Sequence, residues 1–91
     1  MSYNYQEQKK NLFSETGSVM YTEGRDVVKQ MLKECGAFRM QEFMGRYRGC
    51  AETWDYMAIV DRMIELKELE VWERGSWAQY KIYTTPERSN R

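Results

Sequence analysis

Apolar positions are scattered without a period over residues 1 to 21, where Tyr3, Tyr5, Leu12, Phe13, Val19, Met20 and Tyr21 lie among polar neighbours. This predicts a flexible or docking N-terminal arm, loose at its start, with Leu12 to Tyr21 the part able to dock on the domain or on a second copy. From Thr22 the pattern changes. In GRDVVKQMLKEC, residues Val27, Val28, Met31, Leu32 and Cys35 recur at the i, i+3, i+4 spacing that puts one apolar stripe on a helix. Thr22 offers an N-cap, and Gly36 offers a stop because glycine tolerates the positive φ of the C′ position. AFRM reads as a short extended segment. QEFMGRYR then makes two turns of helix that bury Phe43, with Met44 and Tyr47 beside it; Gly45 lowers helix propensity there but offers another helix a close approach.

A third helix follows the break at Gly49 and Cys50. Thr53 is its expected N-cap, and Asp55 in the first turn suits the positive end of the helix dipole. At 100° per residue, Tyr56, Ile59, Val60, Met63 and Leu66 share one face, flanked by Met57 and Ile64. Trp54, Asp55, Ala58, Asp61, Arg62 and Glu65 fall on the opposite, expected solvent face. LEVWER and AQYKIYT alternate in polarity and are rich in Val, Ile, Tyr and Trp, so they predict a hairpin around a GSW turn. Pro86 ends the regular pattern. The expected organisation is an arm over 1–21, one domain over 22–85 and a disordered tail over 86–91.

With 91 residues, 42% of them hydrophobic, the chain supports one core. Fourteen basic and fourteen acidic residues cancel, so no global field draws it to nucleic acid or an anionic membrane. No window approaches a membrane span, and MSYNYQEQKK lacks a signal pattern. A cytoplasmic protein is expected. Histidine is absent, which removes the commonest neutral-pH base and the commonest zinc ligand. Cys35 and Cys50 lie in no recognisable catalytic motif and are expected to be structural or incidental thiols. Asp61 and Glu65, one turn apart without a histidine, read as a solvated face rather than a metal site. No enzyme, cofactor or metal is expected.

The element order, together with FMGRYRGCAETWDYMAIVDRMIELKELEVW and the spacing of Tyr56, Val60, Met63, Leu66 and Leu69, resembles the winged helix-turn-helix superfamily. That resemblance implies an α+β fold, a three-helix core with a C-terminal hairpin wing. Two features depart from it. The turn between Phe43 and Tyr56 is about two residues longer than the compact form, and Lys67 stands where a glycine is common. Either the bend there uses another conformation, or Lys67 carries a strained one.

In such domains the third helix enters the major groove and the wing reaches backbone. Here the groove positions would be Glu52, Thr53, Trp54, Asp55, Ala58, Asp61 and Arg62, of which only Arg62 suits guanine or phosphate. Residues 51–70 carry six acids against Arg62 and Lys67, a net −4, while residues 37–50 and 71–91 carry +2 each. A double-stranded DNA mode would therefore rest on Arg46 and Arg48 at the backbone and on Arg74, Trp77 and Lys81 of the wing, with Arg62 alone from the helix. The leading expectation is a DNA-binding or transcription-regulatory accessory protein. The alternative is a protein-interaction module that binds no nucleic acid and uses Trp54, Asp55, Ala58 and Asp61 to capture a protein partner. A homodimer is compatible with both.

Overall fold

The computed structural model describes residues 3–50, 52–72 and 82–86. A short helix, α1 (Tyr5–Gln8), runs into a 3-10 turn over Lys9–Phe13, and the chain then reverses into the long helix α2 (Glu15–Cys35). Strand β1 (Ala37–Arg39), helix α3 (Met40–Arg46), helix α4 (Thr53–Glu65) and strands β2 (Glu70–Trp72) and β3 (Ile82–Thr84) follow. The protein is α+β. Its three strands form an antiparallel sheet in the order β1-β3-β2, with Phe38 and Val71 both opposite Tyr83. The expected hairpin is thus present as β2 and β3, and its GSW turn lies outside the described residues.

The first helix begins earlier than its periodicity predicts. Ser14, not Thr22, is the N-cap: its Oγ accepts the Gly17 N–H at 3.0 Å, while Thr22 sits inside α2 with its hydroxyl donating to the Ser18 carbonyl at 2.9 Å. Thr53 is likewise displaced from its expected role. Glu52 is the N-cap of α4, and the Asp55 carboxylate three residues on accepts the Glu52 N–H at 3.3 Å, closing a reciprocal cap.

Both long helices stop through left-handed backbone. Gly36 has φ 81°, as expected for a C′ glycine, and its N–H bonds the Leu32 carbonyl at 2.8 Å. At the end of α4 the same role falls to Lys67, with φ 62°. Its N–H reaches the Ile64 carbonyl at 2.9 Å and the Glu68 N–H reaches back to Met63 at 2.8 Å, the paired bonds of a Schellman stop. A side chain therefore occupies the strained conformation that glycine would take freely.

The core gathers Val28 and Met31 of α2, Phe38, Phe43, Tyr47, the α4 residues Tyr56, Ile59, Val60 and Met63, and Leu69 and Tyr83. Aromatic rings dominate it, with Phe43 edge-on to Tyr56 at 5.4 Å and Phe38 stacked on Tyr83 at 5.4 Å. Two buried hydroxyls are paired: Tyr56 donates to the Tyr47 carbonyl at 2.6 Å and Thr84 to the Gly36 carbonyl at 2.8 Å. Leu66, expected in the core, is 48% exposed, because the Schellman stop turns the chain away at that point. Cys35 is exposed as well, at the last turn of α2. The close-approach glycine is Gly24 rather than Gly45. A β-carbon on Gly24 would lie 2.9 Å from Ile59 and 3.2 Å from Tyr47, whereas one on Gly45 would meet nothing within 4 Å.

Candidate functional site

The outer face of α4, expected to be open, is covered by the chain's own N-terminal segment. Trp54, Ala58, Asp61 and Glu65 form one stripe at helical spacing along α4, and residues 3–13 lie across it. At the first turn the Tyr3 ring stands edge-on to Trp54, 6.3 Å between centroids. The Tyr3 hydroxyl then donates to Asp61 Oδ2 at 2.5 Å, and Gln8 Nε2 donates to Asp55 Oδ1 at 3.3 Å. Ala58, between these anchors, is fully buried rather than exposed. Leu12 is the one buried side chain of the segment and joins the core.

Glu65 is the polar centre of this contact. Its carboxylate accepts from the Tyr5 hydroxyl at 2.8 Å, from Lys9 Nζ at 2.9 Å and from Arg62 at 2.6 Å. These donors, Lys9 first, hold its pKa down at about 2. Both tyrosines are pushed in the opposite direction, chiefly by burial and next by their bond to a carboxylate, so each remains a proton donor. Arg62, the one groove-facing cation of the sequence reading, is committed to Glu65 and lies 5.3 Å over the Phe13 ring. The acids of α4 are therefore not a bare solvated face; among the described residues no three candidate ligands gather as a metal site.

The cations proposed to hold DNA backbone are divided. Arg46 is tied to both oxygens of Glu34 at 2.8 and 2.7 Å. Arg48 is exposed, makes no ion pair among the described residues and borders an open cleft of about 450 Å³ with Gln41, Met44, Gly45, Cys50 and Tyr56. Burial, reinforced by Asp55, pushes the Cys50 thiol up to about 12, so it is protonated at neutral pH. Arg74, Trp77 and Lys81 lie outside the described residues. No described helix is long and apolar enough to cross a membrane.

The interaction set named from sequence, Trp54, Asp55, Ala58 and Asp61, is thus brought together, and Glu65 and Arg62 extend it. Sequence reasoning missed the other half, Tyr3, Tyr5, Gln8 and Lys9. Their signal is compositional only: two phenols and a cation in a polar arm, matched to a helix rich in carboxylates. Comparisons with protein-family models, curated proteins and solved structures gave no match.

Proposed function

We propose that the chain is a winged-helix protein-interaction module whose α4 face receives a short segment bearing phenols and a cation. The helix, strand, helix, helix and hairpin order, with β3 central, supports the winged-helix assignment. The occupancy of α4 by residues 3–13 carries the functional reading. The segment states the chemistry the face accepts: an aromatic edge against Trp54, hydroxyls on Asp61 and Glu65, and an ammonium on Glu65. A groove-reading helix would instead present donors to bases and phosphates, and a carboxylate-rich face is repelled by both strands.

A labelled peptide of residues 3–13, titrated into a chain carrying Tyr3→Ala, Tyr5→Ala and Lys9→Ala, tests this reading. Saturable binding that is lost on adding Asp61→Ala and Glu65→Ala is expected. Affinity in the micromolar range is sufficient, since a tethered segment gains an effective concentration that a free peptide lacks. A folded chain that leaves the peptide unbound overturns the reading.

One observation favours a second reading, DNA-backbone contact from the α3 side. Arg39 and Arg48 are both exposed near that helix, and Arg48 makes no ion pair among the described residues. Duplex anisotropy at low and moderate salt tests it, with binding that falls with salt and is lost in Arg48→Ala as the supporting outcome.

A further inference from the structure

We infer that the α4 face is also a self-assembly surface, occupied by residues 3–13 of a second copy when the corner at Ser14 opens. The inference rests on the reading of α4 as a segment-binding face and adds the identity of the partner. Three observations carry it.

The first is the corner itself. Between Tyr5 and Cys35 the chain is helical except at Ser14, whose φ of −74° and ψ of 166° are extended. The reversal is held by the Ser14 hydroxyl donating to the Asn11 carbonyl at 2.8 Å and by Gly17 passing against that same carbonyl. A β-carbon on Gly17 would stand 1.6 Å from the Asn11 oxygen. The closed corner thus depends on one missing methyl group. A short hinge of this kind is the usual site of segment exchange.

The second is the content of the segment. Beyond the corner, where the 3-10 turn also packs on α2, the side chains that fasten residues 3–13 point to α4 and the core: Tyr3, Tyr5, Gln8 and Lys9 on carboxylates, Leu12 in the core. Exchange between copies offers the same donors to the same carboxylates of α4, so beyond association entropy it forfeits only the bonds of the corner itself. Straightening also replaces the 3-10 turn with α-helical geometry and its better hydrogen bonds.

The third is Val19, which is 56% exposed in the closed form and lies on the side of α2 away from the core. In a helix continued from Tyr5 through α2, successive heptad positions place Tyr5, Leu12 and Val19 on one line, with Gln8 and Lys9 at its borders. That line is the one that docks. When Tyr5 and Leu12 of one copy reach the α4 face and core of the other, Val19 faces the same body. Exchange gives this exposed valine a covering surface.

Sedimentation of the Gly17→Ala chain is the direct test, because the added methyl forbids the closed corner and leaves the face intact. A folded species of twice the 11.0 kDa monomer mass is expected; a folded monomer overturns the inference. Should that variant not fold, two full-length variants decide. One carries Tyr3→Ala, Tyr5→Ala and Lys9→Ala and keeps its face; the other carries Asp61→Ala and Glu65→Ala and keeps its segment. Each is monomeric alone, and their mixture forms a one-to-one dimer if segments exchange. A mixture that stays monomeric, while the free peptide binds the first variant, overturns exchange and leaves the interaction reading standing. Loss of both peptide binding and mixed dimer overturns the two together.

Discussion

Tyr3 and Asp61, 58 positions apart, are joined by a phenol-to-carboxylate hydrogen bond of 2.5 Å. The bond ties the first described residue to the middle of α4 and places the Tyr3 ring against Trp54. Tyr3→Phe keeps the ring contact and removes only the donor. It is expected to lower stability by about 1 kcal/mol, less than a fully buried charged bond would give because the pair is only part-buried. Amide hydrogen exchange should show the loss concentrated in residues 3–13, with the α2–α4 core unchanged. Uniform loss of protection would contradict a locally docked segment.

Lys67 sits in left-handed backbone at the end of α4, where a β-carbon is unfavourable. Lys67→Gly is expected to raise stability by about 0.5–1 kcal/mol, the relief of that strain less the extra freedom glycine gives the unfolded chain. The midpoint of urea unfolding reads it, with an unchanged slope showing that the surface exposed on unfolding is the same.

Gly24→Ala tests the opposite case, a glycine demanded by packing. Helix propensity favours alanine by about 1 kcal/mol, but the new methyl meets Ile59 Cδ1 and the Tyr47 ring inside 3.4 Å, and both must shift within a core in which Ile59 is fully buried. Overpacking typically costs about 1–3 kcal/mol, so a net destabilisation near 1 kcal/mol is expected in the same urea assay. Gly45→Ala, with open space around it, should be stabilising.

Acid should weaken the docking of the N-terminal segment. The Glu65 carboxyl is held at about 2 against an ordinary 4.5. Its contribution to docking is therefore complete above about pH 4.5 and is lost as pH falls toward 2. Backbone NMR shifts of residues 5–13 followed from pH 6 to 2 should move in that window, and in Glu65→Gln the movement should flatten. A segment whose shifts are unchanged while Glu65 titrates would remove the carboxylate from its proposed role.

Local order was legible where one periodic stripe met one buried face. The stripe Tyr56, Ile59, Val60, Met63 and the stop at Gly36 follow from side-chain spacing and from glycine's freedom, and the strand character of residues 70–72 and 82–84 follows from alternation and composition. The bend at Lys67 was legible as a conflict, and the conflict proved to be real strain. What escaped is whatever depends on two distant surfaces agreeing. The burial of Ala58 comes from a segment about fifty residues earlier, held mainly by polar contacts that leave no hydrophobic period. The start of α2 was missed for a related reason: residues 15–21 carry no regular apolar period, and the turn of helix there is fixed by the Ser14 cap and by the close approach of Gly17 to the Asn11 carbonyl.

The position of β3 between β1 and β2 has a consequence for the order of folding. Strands β1 and β2 do not pair with each other, so each keeps an open edge until residues 82–84 insert between them, and both edges then close in one step. Helices α2 and α4 can meet without the sheet, Gly24 against Ile59, so a chain with its helices packed and β3 not yet placed carries two unpaired edges, the feature most prone to pairing with a neighbouring chain.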